Sequence, residues 1–304
     1  MPKKVVSFFI SVLLLSSLSS VSHAESPYTW YTFNIPPFGS ESERGIGYVL
    51  ANAYINAGFK NKVILTTPAR WLNDMQNPNN NEFCSTGSWK LPKTDHRVYS
   101  NSILNTVDYG IAVRPNLYDQ LSNKGQKRIV SITEVIEASK KFGRFVMMND
   151  RPVFGNMNVH LEDARLKPNS NIDYVTASEG PVTLLKMANV ESRGVGSVLL
   201  FPEEYQVFNK AYPDHSLEYL MLLEGSSFAP IRASCPDTQQ GRIIMAEIDK
   251  MLNEGLRDEI FNLFLEALPN IAEIKEQARI NQYCIEDSSC KDRGRSKFCV
   301  SLNC

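Results

Sequence analysis

Residues 28–66 read YTWYTFNIPPFGSESERGIGYVLANAYINAGFKNKVILT, and the reading of this stretch decides the fold. Tyr28–Phe33 is rich in β-branched and aromatic residues, the composition of a strand. Asn34–Gly39 ends it, because Pro36 and Pro37 remove two backbone donors and fix φ. From Ile46 the period changes. Ile46, Val49, Leu50, Ala53 and Ala57 share one helical face, and Gly58 stands where that helix would stop. Val63–Thr66 is a second strand. Strand, loop, helix and strand make a βαβ unit, so the two strands are expected to run parallel. Gly45 and Gly47 precede the helix without the third glycine and the acidic residue of a dinucleotide fingerprint, and no cofactor is expected.

Downstream, strands are expected at Tyr109–Val113, Arg144–Met148, Asp173–Ala177, Ser197–Phe201, Leu217–Leu223 and Ser227–Arg232. Ser131-Ile132-Thr133-Glu134 fits a capping box and predicts a short helix. Further helices are expected at Asn156–Arg165, Val182–Ala188, Arg242–Leu252 and Gly255–Leu268, while the polar run Tyr118–Arg128 reads as a connection. Two strand–helix sets, near 28–114 and 130–225, are thus followed by two more helices. An open sheet would end with its second set. A chain that goes on suggests an α/β protein of two lobes, the second inserted into the first. The ligand would lie between them at the carboxyl ends of strands, and closure would be a hinge motion.

Residues 1–24 read as a signal peptide: Lys3 and Lys4, the apolar run Val5–Leu15, then a small-x-small site at Ser22-His23-Ala24. Export to the periplasm follows. Thirty-two basic and 33 acidic residues give a net charge of −1, which argues against nucleic acid or an anionic membrane as the partner. His96, His160 and His215 show no metal-ligand spacing. All six cysteines lie beyond the signal, and an even number in an oxidising compartment favours disulfides. Cys284, Cys290, Cys299 and Cys304 crowd into 281–304, a cysteine-rich tail with three possible internal pairings.

Cys84–Ile103 gathers small hydroxyl residues, a glycine, Trp89 and an arginine, the materials for gripping a small polar ligand. Arg70 follows a strand end, where it either faces the cleft or makes a surface ion pair. Trp30, Trp71 and Trp89 all fall near strand ends. Core packing is the ordinary role of each, and stacking on a ligand is the other. Glu179 and Glu203 are either solvated loop carboxylates or acid–base groups in the cleft.

The strand followed by P-P-F at Trp30–Phe38, the Gly45-Ile46-Gly47 helix entry, and T-D-H-R before Y-S at Thr94–Ser100 resemble the family 3 extracellular solute-binding proteins. So does the Cys235–Leu252 run into a helix followed by Glu254-Gly255, and the resemblance spans roughly 28–268. It implies a type II periplasmic-binding-protein fold, with lobe 1 at 25–114 and 229–280 and lobe 2 at 115–228. It also implies that Arg97 clamps a ligand carboxylate through two parallel hydrogen bonds. Ser85, Thr86 and Ser88 would donate hydrogen bonds, and Phe38, with Trp30 and Trp89, would wall the site. Gly180 would open a helix whose first turn accepts an anion, although the family's threonine hydroxyls are missing there. Glu203 is the nearest counterpart of the family's acidic ligand residue. About five extra residues separate Ser88 from Arg97, which leaves the ligand class at small polar or anionic. Within this fold Cys84 and Cys235 both fall in lobe 1 and are expected to pair. The implied protein is a monomeric binder, not an enzyme, that delivers its solute to a membrane transporter or sensor. The alternatives are a dehydratase-type cleft enzyme using Glu179 or Glu203, and an envelope interaction protein using the tail.

Overall fold

The computed structural model describes residues 28–33, 46–56, 59, 62–91, 93–149, 153, 155–166, 170–176, 180–225 and 229–283. The expected signal segment, Phe38, Glu179 and the four tail cysteines lie outside them. Among the described residues no helix is long and apolar enough to cross a membrane.

The first sheet is built from the stretch that opens the chain. β1 (Thr29–Phe33) runs parallel to β2 (Val63–Thr66), with α1 (Ile46–Asn56) between them in sequence. The expected βαβ unit is therefore present. α2 (Pro68–Gln76) leads to β3 (Phe83–Ser88), also parallel to β1. β4 (Arg97–Tyr99) and β5 (Leu104–Thr106) then pair with a strand from much later in the chain, β12 (Ala229–Pro236). β12 is antiparallel to β3, β4 and β5, and the order is β2-β1-β3-β12-β4, with β5 also on β12.

The second sheet begins at β6 (Gly110–Val113). α3 (Pro115–Leu121), β7 (Ile129–Val130), α4 (Ile132–Phe142), β8 (Arg144–Met148), α5 (Gly155–Arg165), β9 (Ile172–Val175), α6 (Pro181–Asn189), β10 (Val195–Leu200), α7 (Pro202–Ala211) and β11 (Glu218–Leu222) follow. Its order is β7-β11-β6-β10-β8-β9. β8, β9 and β10 are parallel, whereas β6 runs antiparallel to β10 and β11. β10 is buried along its whole length, as an apolar strand covered on both faces should be. Gly110–Val113 thus belongs to the second sheet. The chain leaves lobe 1 at 107–109 rather than after the expected 114, because β6 finds its partners in β10 and β11.

The predicted capping box is formed. Ser131 Oγ accepts from the Thr133 N–H at 3.2 Å, and Glu134 accepts from the Ser131 N–H at 2.8 Å. The helix it starts buries Ile132, Val135, Ile136 and Ser139, and Ser139 hydrogen-bonds Ser197 of β10 at 2.9 Å. After β12 the chain continues in lobe 1 through α8 (Gln239–Met251) and α9 (Arg257–Ala267). Thr238 caps the first, its Oγ accepting from the Gly241 N–H at 3.0 Å. A π-helical turn at Leu252–Leu256, with Gly255 at φ 113°, joins the two, which is why they read as separate helices in the sequence.

α10 (Ala272–Tyr283) was not expected. It buries Ile274 and Ala278, and its Asn281 donates to the Thr106 carbonyl at 3.0 Å while its own carbonyl accepts from Asn105 at 2.8 Å. Residues 281–283 are therefore part of lobe 1, not of the tail. This helix holds β5, the last strand before the crossing.

Cys84 and Cys235 are bonded, with their Cα atoms 4.3 Å apart. The register that pairs Ser85 with Ser234 sets the two cysteines opposite each other on β3 and β12.

Candidate functional site

The strand directions locate the cleft. β1, β2 and β3 end at Phe33, Thr66 and Ser88; β8, β9 and β10 end at Met148, Val175 and Leu200. The start of β6, just after the crossing, lies beside the end of β10, with Gly110 opposite Leu200. The start of β12, just after the return, lies toward the end of β3, with Arg232 opposite Ser88. Both crossings therefore sit at the carboxyl ends of the parallel strands, where open α/β sheets bind ligands.

Two aromatic rings meet there from opposite lobes. Trp89 follows the end of β3 and Phe201 follows the end of β10. Their rings stack with centroids 6.0 Å apart and planes 18° apart. Phe201 in turn stacks on Tyr109 of the first crossing at 4.1 Å and 21°. Two buried carboxylates brace this ladder. Glu204 accepts from the Phe201 N–H at 2.9 Å, and Asp108 accepts from the Tyr109 N–H at 2.7 Å. With Glu203 they surround the Tyr219 phenol, whose pKa burial raises far above its usual value, the three carboxylates adding to the rise.

Arg70 is in the first turn of α2, directly after β2. Thr67 caps that helix by accepting from the Arg70 N–H at 3.3 Å, and Pro68 occupies its first turn. The Arg70 side chain is exposed and reaches Asp74, one turn on, at 3.7 Å. It is a cation at the cleft end of lobe 1. Gly180 caps α6 on the lobe-2 side, after β9, with φ 64° and open space where a side chain would be. Only glycine takes that conformation freely.

Arg97 departs from the clamp that the resemblance implies. It is 5% exposed and lies opposite Pro236, at the end of the sheet away from the cleft. Its Nη2 donates to the Phe83 carbonyl at 3.0 Å and the Ser234 carbonyl at 3.3 Å, its Nε to Ser234 Oγ at 3.4 Å, and the guanidinium lies 4.3 Å over the Phe83 ring. Burial lowers its pKa to about 10. Arg97→Met should lower stability by about 1–3 kcal/mol, since two buried carbonyls lose a charged donor, while solute affinity stays within about twofold. Denaturant titration and a binding isotherm on one preparation check this; a tenfold loss of affinity in a fully stable variant would return Arg97 to the cleft.

The hydroxyls also face inward. Ser85 accepts from Trp71 Nε1 at 3.0 Å and donates to the Gly87 carbonyl; Thr86 donates to the Tyr31 carbonyl; Ser88 donates to the Arg232 carbonyl. All three are buried and serve the sheet. Trp30 is fully buried against Tyr54, and Trp71, on α2, is buried against β3, so of the tryptophans Trp89 alone lies between lobes. Glu203 is 0% exposed, turned into lobe 2 rather than toward a solute. Phe201 and Tyr109 carried no expectation. The available signal was positional: Phe201 follows its strand as Trp89 follows β3.

No protein-family model matches the chain, and no curated protein matches it. Solved structures do. A mutant of the arginine-binding protein ArgBP from T. maritima superposes with a TM-score of 0.54 at 15% identity, covering 79% of this chain and 96% of that one. The amino acid ABC transporter substrate-binding protein AbpA from Streptococcus pneumoniae, bound to L-arginine, gives 0.53 at 12%, with coverage of 80% and 97%. The GluR0 ligand-binding core from Nostoc punctiforme, in complex with L-glutamate, gives 0.52 at 13%, with coverage of 78% and 98%. With its two sheets, its double crossing and these likenesses, the chain has the two-lobed type II periplasmic-binding-protein fold.

Proposed function

We propose that this protein is an exported solute-binding protein that closes its two lobes on a small polar or anionic solute and delivers it to a membrane transporter or sensor. The observation that carries this reading is the convergence of both sets of parallel-strand ends on the double crossing, where Trp89 and Phe201 meet. The structural neighbours add weight, since they hold L-arginine and L-glutamate in the same fold. The signal-like segment 1–24 supports a periplasmic location.

Arg70 takes over the part assigned to Arg97, holding the solute's carboxylate from lobe 1. The N-terminal turn of α6 at Gly180 offers backbone N–H groups from lobe 2. Trp89 supplies an apolar wall, and Phe38 a second. The burial of Glu203 favours binding over a dehydratase mechanism, which needs a carboxylate in contact with substrate.

A thermal-shift screen of the oxidised protein against amino acids, organic acids, polyamines, peptides and sugars tests the reading, because a ligand raises the melting temperature by mass action. Arg70→Ala should weaken an anionic solute by about tenfold, the worth of one charge-assisted hydrogen bond. Its melting temperature without solute should stay near wild type, since its ion pair is exposed. A panel that produces no shift at millimolar solute counts against a binding role.

A further inference from the structure

We propose that the solute carries a flat, delocalised group, an aromatic ring or a guanidinium, and that this group enters between Trp89 and Phe201. The inference rests on the solute-binding reading above and narrows its ligand class.

The two rings come from different lobes and already lie nearly parallel, 18° apart. Opening the hinge parts the two rings, whose centroids now lie 6.0 Å apart, until their planes stand the roughly 7 Å apart that a planar group needs to stack on both faces. The lobe-2 ring is held in place. Tyr109 stacks on it at 4.1 Å, and the buried Glu204 and Asp108 fix the backbone of both residues. The site is therefore a rigid face on lobe 2 opposed by a movable one on lobe 1. The faces of two aromatic rings suit a third ring or a planar cation. A tetrahedral or aliphatic group breaks the Trp89–Phe201 contact without replacing it on either face.

The test uses pairs of solutes matched in charge and size but differing in planarity: L-arginine against L-lysine, and L-phenylalanine against L-leucine. Binding to the full chain is followed by calorimetry and by tryptophan emission. The flat member of at least one pair should bind about tenfold tighter than its partner and change the emission. Trp89→Leu and, separately, Phe201→Leu should abolish that preference, while Trp89→Phe retains it. Circular dichroism and the melting temperature show whether each variant is folded, and the conservative variant keeps the test decisive if either leucine variant is not. Tight binding of aliphatic members, unaffected by Trp89→Phe or Trp89→Leu, would overturn the inference while leaving the solute-binding reading intact. Failure of every solute to bind would overturn both.

Discussion

Replacing Cys84 and Cys235 together by alanine is expected to lower unfolding stability by about 2–5 kcal/mol. The bond closes a loop of 151 residues, which contains the whole of lobe 2. Freeing so long a loop returns much conformational entropy to the unfolded chain. Both side chains are fully buried, so alanine, which leaves no hydroxyl without a partner, is the cleaner substitution. The Cα distance of 4.3 Å is close to that of two directly opposed residues on antiparallel strands, the arrangement that the β3–β12 register sets up. Urea unfolding of the wild type with and without reductant should reproduce the difference between wild type and double variant. If oxidised and reduced protein unfold at the same midpoint, the bridge contributes nothing and the entropic account fails.

Gly110→Val should cost about 3 kcal/mol, the upper end of ordinary overpacking. Gly110 is the first residue of β6, where lobe 2 begins. A Cβ there would stand 2.3 Å from the Tyr219 hydroxyl and 2.6 Å from the Leu220 carbonyl oxygen, one a side-chain atom and the other backbone. Only the first obstacle can be removed by mutation. Adding Tyr219→Leu should therefore recover part of the loss, and the two substitutions should not be additive. Thermal melts of the single and double variants make the comparison. A Gly110→Val protein as stable as wild type would mean that β6 can move away from β11, and that the crossing is looser than described.

Much of the fold could be read from local pattern. The βαβ unit at 28–66, the Ser131 capping box and the α8–α9 break at Gly255 each depend on residues close in sequence. Three of the helices that escaped share one cause. α2, α3 and α7 each begin at a proline that reads as a terminator: Pro68, Pro115 and Pro202. The fold uses each at the first helical turn, where a missing N–H costs nothing. α10 escaped because its buried face mixes Ile274 and Ala278 with Gln277 and Asn281, a pattern that hides the apolar period.

The site was less legible. Arg97 sits in a motif whose order suggests a cleft, but the residues after Ser88 carry the chain back to the far end of the sheet before β4 starts. Which end of an antiparallel strand a residue occupies is not a local property. Phe201 and Tyr109 acquire meaning only when two lobes meet, and contacts of that kind leave no period in a sequence.

The nesting of the lobes has a consequence for the order in which they are completed. Lobe 2 takes all its strands from one unbroken segment, Gly110–Leu222, so every strand it needs is present once that segment has been made. Lobe 1 lacks the strand between β3 and β4 until residues 229–236 have been synthesised, so β3 keeps an exposed edge throughout the making of its neighbour. Non-local pairing of this sort is slow to form and open to wrong partners. The lobe that the ribosome begins first is the one that folding finishes last.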